Sequence, residues 1–359
     1  MRHASDPTFD LLLATIRPPA DPRRRNVVAR CAAAPVNWDR FLALANRHRV
    51  GPLVVEALTD ADIALPPALA TSLAEVGRRA LFAEMALASE VERVVALLAA
   101  AGIDAILLKG PGLSLRAFGR LGLRTYRDLD LLVDERDVSA AEDVLVQAGY
   151  ARSEPGADAG DLAAWRRDHK DAVFRHHGSD ILIELHWRLF DNRRLMRPPL
   201  FAGAVPLGIA PLDGIRVLPA GVEFRYLCLH GALHAWARLR WLADVNALVA
   251  QMSPEFLLET ARATGGRIGP AVAQTLILCR DLLGAVLPPK VETILARARR
   301  GRGLAWLARR EIMRSGSREL EAVPFGSTIK NLSHYAMIEG PGALIEELRF
   351  DLAANPRAR

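Results

Sequence analysis

At 359 residues, 51% hydrophobic and 25% charged, the chain has the balance of a folded globular protein and exceeds the usual size of one compact core, so two or three structural units are expected. Lys and Arg outnumber Asp and Glu by 47 to 41, and the formal net charge of +6 favours anionic ligands without establishing nucleic-acid binding. No apolar run reaches about 18 residues and no basic-then-apolar leader is present, so no membrane partner is expected and the location is read as cytoplasmic; Cys31, Cys228 and Cys279 are too few and too scattered for a disulfide framework or a Cys-based zinc site.

Residues 1–101 read as an N-terminal helical region. Phe41, Leu42, Leu44 and Ala45 recur at helix period after Trp38, as do the apolar residues from Ala80 to Leu98, with Pro66-Pro67 breaking the chain between them. At Gly102 the texture changes. Ile103–Leu108 is short, apolar and bounded by glycines, hence a strand, and Asp128–Val133 is a second. Asp137–Gln147 is an amphipathic helix closed by Gly149, and Ala172–Arg175 and Ile181–His186 are two strands around a turn. Residues 102–217 are therefore an α/β core. Residues 218–359 read as helical again over 223–237, 242–249, 254–264, 272–283 and 292–310, with a less regular tail beyond Ser315. The fold class is α+β: a strand-containing core flanked by helical regions.

The chemistry concentrates in the core. Alternation along Asp128–Val133 puts the Asp128 and Asp130 side chains on one face while Leu129, Leu131 and Val133 enter the core. Two adjacent carboxylates repel unless a cation lies between them, and Mg2+ held by carboxylates completes its shell with water and phosphate oxygens. A bare Asp-x-Asp is more often the polar edge of a strand, so the surroundings decide. Glu184 stands inside the otherwise apolar strand Ile181–His186, costly to bury unless paired or metal-bound, and is a natural third carboxylate. His186 shares its face, whereas Trp187 alternates away toward packing. Lys109, Arg124 and Arg127 are cations suited to phosphate oxygens. His230 and His234 lie one helical turn apart; metal ligation with Asp244 as a third ligand is one reading, hydrogen bonding at an interface is preferred, and lining an acceptor pocket is a third.

Leu107-Leu-Lys109-Gly110, then Arg124-x-x-Arg127-Asp128-Leu-Asp130-Leu-Leu-Val133, then Ile183-Glu184-Leu-His186-Trp187-Arg188 resembles the uncharacterised nucleotidyltransferase family of the polymerase-beta-like superfamily. The later Leu229-His230 through Asp244-Val245 is similar to that family's C-terminal signature, and the likeness spans about Trp38 to Val249. The resemblance implies that the core is a small mixed β-sheet. It also implies a metal-dependent nucleotidyltransferase that moves a nucleoside monophosphate from an NTP such as ATP to an acceptor and releases pyrophosphate, with Mg2+ or Mn2+ as cofactor. Asp128 and Asp130 would be the metal pair, Glu184 the third acid, and Gly110 would sit in the phosphate-side turn beside Lys109, Arg124 and Arg127. His186, His230 and His234 are candidates for the acceptor pocket. The chain departs from the superfamily in having Lys109-Gly110-Pro111-Gly112 where Gly-Ser is usual, which leaves phosphates to backbone amides, Lys109 or Ser114.

The resemblance makes a modified peptide a reasonable acceptor, and the acceptor stays open between peptide and small molecule. A second reading is a binding or regulatory protein that keeps the fold without turnover, which the missing Gly-Ser favours and the three acids oppose. RNA modification is the weakest, resting only on the basic balance. The basic stretch Lys290–Arg310 is taken as a solvated helix face.

Overall fold

The computed structural model describes residues 6–126, 128–156, 162–196, 200–262, 268–315, 318, 326–338 and 340–354. The chain forms two compact units, each assembled from separated stretches: residues 1–82, 117–125 and 227–339 in one, residues 83–116, 126–226 and 340–359 in the other. The second holds the β-sheet. No helix among the described residues is long and apolar enough to cross a membrane.

The helix Pro67–Ala100 starts where the Pro66-Pro67 pair places a proline in its first turn, and it extends well beyond the periodic stretch visible in the sequence. Its end is a Schellman closure: Gly102 N–H donates to Ala99 O at 2.9 Å and Ile103 N–H to Leu98 O at 2.9 Å, with Gly102 at φ +75°. This turn delivers the chain into strand β1 (Ala105–Leu107), all buried. β2 (Asp128–Val133) follows, then β3 (Tyr150–Glu154), β4 (Asp171–His176), β5 (Leu182–His186), β6 (Val205–Pro206) and β7 (Arg216–Val217). They form one mixed sheet in the order β3-β4-β5-β2-β1-β7-β6, the α+β class expected. β3, β6 and β7 are additions that the hydrophobic pattern does not announce; β3 is half polar, and β6 and β7 are two residues each.

β2 is central. It runs antiparallel to β1 and parallel to β5, and β5 is antiparallel to β4. Leu129, Leu131, Leu132 and Val133 are fully buried, as a strand covered on both faces requires. The helix Pro111–Phe118 lies close on β1, and a Cβ on Gly112 would come within 2.8 Å of the Leu107 side chain, so this position is held small by packing.

The other unit is helical. Pro7–Thr15, Arg24–Ala32, Trp38–His48 and Gly51–Asp60 pack around one another, and of these the sequence pattern singled out only Trp38–His48. The expected helix over 223–237 ends earlier, at Leu233, because Ala235 and Trp236 both take left-handed φ of 50° and 53°. The expected single helix over 292–310 is two, Pro289–Arg297 and Arg299–Ser315, parted at Ala298, whose ψ of 69° leaves the helical region. The tail is also more regular than expected, with helices Gly326–Met337 and Pro341–Ala354. Cys228 and Cys279 are buried thiols and Cys31 is half-buried, all free.

Gly231 shows why its position tolerates nothing larger. The indole of Trp236 folds back onto the helix, and a Cβ on Gly231 would lie 2.4 Å from two of its ring atoms. A rigid, fully buried ring cannot step aside as a flexible chain end can. Gly231→Ala is expected to destabilise the protein by about 1–3 kcal/mol, read as a lower midpoint in urea or thermal unfolding.

Candidate active site

The parallel register of β2 and β5 sets Asp130 beside Glu184 and Leu132 beside His186. Residues paired in register share a face, and so do residues two apart on one strand, so Asp130, Glu184 and His186 project from one face together. They can each offer one ligand atom, all within 4.8 Å of one another. Asp128 is on the same face one step earlier, opposite Leu182 and half-buried. The antiparallel pairing of β4 with β5 brings Asp171 opposite His186.

The cluster is a charge network. Lys109 Nζ lies 2.8 Å from Asp130 Oδ1. His186 Nε2 lies 3.3 Å from the same oxygen, 3.4 Å from Glu184 Oε2 and 3.7 Å from Asp171 Oδ2. Lys170 pairs with Asp171 through its ammonium and donates its backbone N–H to Asp191 Oδ1 at 2.8 Å. Asp130 is 3% exposed while the Glu184 side chain is 27% exposed, so one carboxylate is interior and the other meets solvent. The Tyr226 ring closes one side, its centroid 5.9 Å from Lys109 Nζ.

Burial alone would raise the Asp130 carboxyl, but the Lys109 ammonium and the His186 hydrogen bond more than offset it, and the group is held well below the usual carboxylate range. Burial disfavours the Lys109 ammonium, yet Asp130, followed by Tyr226 and Glu184, holds it above its ordinary value. For His186, burial and Lys170 oppose the charged form, whereas Asp171, Asp130 and Glu184 favour it, and the imidazole is pushed up to about 9. Burial pushes the Tyr226 phenol up to about 12. Asp171 is lowered in spite of its burial by His186 and Lys170.

Two partly buried cations and a protonatable imidazole thus stand among carboxylates, and the donor set suits a divalent cation held through Asp130 and Glu184 oxygens. His186 fits better as the donor that orients both carboxylates than as a first ligand of Mg2+, which prefers oxygen; an imidazole nitrogen in the shell would suit a transition metal. Its Nδ1 is buried without a hydrogen-bond partner.

The remaining sequence candidates are placed differently. Gly110 takes φ +69° at the turn between β1 and the helix Pro111–Phe118, a conformation that favours glycine. Ser114 is fully buried within that helix. Arg124 makes a bidentate pair with Asp244, Nε to Oδ1 at 2.8 Å and Nη2 to Oδ2 at 3.0 Å, both side chains buried. That fork is committed inside the helical unit, and Asp244 is committed with it rather than to His230 and His234. These two histidines stack edge-on at 4.8 Å, and Trp241 lies 5.6 Å from His230 and 5.0 Å from His234. Arg127 lies outside the described residues. Trp187 is buried and donates Nε1–H to His169 O at 2.8 Å. Sequence reasoning missed Lys170, Asp171 and Tyr226; Asp171, a polar residue opening the first arm of the hairpin, was the available signal.

Residues 34–284 match the family described as uncharacterised nucleotidyltransferase. The chain belongs to that family. No curated protein and no solved structure matches it. The match contains the whole charge network and the Arg124–Asp244 pair, and it stops short of the two helices spanning Pro289–Ser315.

Two outcomes test these assignments. Breaking one side of the buried Arg124–Asp244 pair leaves an uncompensated charge, so Asp244→Asn is expected to cost roughly 3–5 kcal/mol in urea unfolding. For His186, the folded value of about 9 exceeds the ordinary 6.5, so its contribution to stability is complete below about pH 6.5 and is lost as pH rises through 9. The melting temperature of the metal-free protein should fall across that window, by an amount on the order of 2–3 kcal/mol in stability, and His186→Asn should flatten this segment of the profile.

Proposed function

We infer that this protein transfers a nucleoside monophosphate from an NTP to an acceptor, releasing pyrophosphate. The observation that carries this reading is the in-register pairing that sets the buried Asp130 beside the more exposed Glu184, with Lys109 alongside, in a chain of the nucleotidyltransferase family. The acceptor oxygen would form a bond to the α-phosphorus as the bond to pyrophosphate breaks, and the acceptor's proton would go to a carboxylate. Glu184, partly exposed and within the network, would take that proton, while Asp130 stays ionised beneath it.

Asp130 and Glu184, with Asp128 at the edge, would hold Mg2+ or Mn2+. When bound, such an ion supplies charge neutralisation on phosphate oxygens and polarises the phosphoryl group. The chain's own groups do the rest. His186 orients Asp130 and Glu184, and Asp171 supports His186. Lys109 is a mobile point charge that can exchange Asp130 for a phosphate oxygen. Gly110 and the amides that open the helix after it suit the phosphate side. Arg124 has no part in this, being bonded to Asp244.

Lys109 also favours a second reading, because its ammonium already neutralises Asp130; a binding or regulatory protein that keeps the fold without using nucleotide would look the same at this pair. Titration calorimetry of each NTP with and without Mg2+, on the wild type and on Asp130→Asn, separates the possibilities. Metal-dependent binding weakened at least about tenfold by the substitution is expected. Equal binding by both proteins would remove Asp130 from the site, and no binding to either would favour the non-catalytic reading.

A further inference from the structure

The basic balance of the chain is local. From Pro289 to Ser315 eight Lys and Arg stand against two acids, an excess of six that equals the net charge of all 359 residues. The segment is the helix pair Pro289–Arg297 and Arg299–Ser315, beyond the family-matched residues. It packs within the helical unit through one face: a Cβ on Gly301 would lie 2.5 Å from Ala273 Cβ, and Leu304, Ala305, Ala308 and Ile312 are buried. The opposite face is not purely polar. Trp306 is 61% exposed, with the Arg310 guanidinium carbon 5.4 Å from its ring centroid.

Beside Trp306 runs a groove of about 390 Å3. The largely buried Ile277, Leu295 and Ala305 form its floor, and Arg280, Arg302 and Arg309 bring guanidinium groups beside the single carboxylate of Asp281. Arg280 is paired with Asp281 at 2.8 Å and with Glu292 at 2.5 Å. Arg302 donates to Ala296 O at 3.1 Å, and neither it nor Arg309 has a carboxylate partner among the described residues. An exposed indole beside a cavity with apolar walls is unfavourable to leave wet, and arginines on its rim repel cations and select anions.

We propose that this groove is a docking site for an acidic peptide segment that carries apolar anchor residues. The dimensions accept one or two aliphatic or aromatic side chains against Ile277, Leu295 and Trp306, while Asp or Glu of the same segment meet Arg302 and Arg309, the arrangement of an amphipathic helix laid in a groove. Single-stranded RNA fits less well: phosphates gain nothing from apolar walls, and one face of the exposed Trp306 indole is approached by Arg310. The site stands on residues outside the carboxylate network and does not depend on the nucleotidyl-transfer reading.

The test uses the full chain and fluorescence anisotropy of a short labelled peptide of Asp and Glu with two Leu one helical turn apart. Saturable, salt-sensitive binding is expected, weakened about tenfold or more by the double substitution Arg302→Glu and Arg309→Glu and by Trp306→Ala, with circular-dichroism melting unchanged because all three side chains are exposed. Replacing both Leu of the peptide by Ser should weaken binding comparably. No saturable binding, equal binding by the double variant, or tighter binding of a single-stranded RNA of equal charge would overturn the proposal. Self-association of the wild type that the double variant loses would assign the groove to a second copy and overturn it as well.

Discussion

Everything at the candidate site follows from putting two carboxylates next to each other near the middle of a sheet. The parallel pairing of β2 with β5 brings Asp130 and Glu184 into register, and the interior position of Asp130 makes its charge expensive unless opposed. Lys109 and His186 oppose it at 2.8 and 3.3 Å. Lys109 follows the end of β1 and His186 ends β5, so the two counter-charges reach Asp130 from the two strands that flank β2.

The network is graded in exposure. A buried Asp130 keeps its charge and its orientation, while Glu184 is partly exposed to solvent. Lys170 and Asp171 extend the alternation of sign outward, so that each ionised group has an opposite neighbour. Such an arrangement is preorganised: its charges are held in place by one another rather than by a ligand. It also explains why burial does not simply neutralise these groups, since each shift is set by a named partner overcoming desolvation.

Much of the core was legible because short-range rules governed it. The Gly102 helix stop, the strand alternation in Asp128–Val133 and the hairpin around Gly178 are local in cause, and the α+β class follows from them. The difficulties came where local rules gave way. Ala298 carries no helix-breaking signature, yet the chain bends there; Leu233 ends a helix because Trp236 folds back onto Gly231. Arg124 looked like a phosphate ligand because it neighbours the Asp pair in sequence, but its fork is bonded to Asp244, 120 residues away.

By itself the sequence determined which residues could share a face: alternation alone puts Asp128 with Asp130 and Glu184 with His186, because the side-chain period of a strand is two whatever surrounds it. Only the tertiary structure decided which faces meet. Strand order and register choose Asp130 and Glu184 as neighbours, recruit Asp171 opposite His186, and withdraw Arg124 into a buried pair. Such long-range pairings depend on how whole elements bury their apolar surface, a property of the assembled core that no window of neighbouring residues contains.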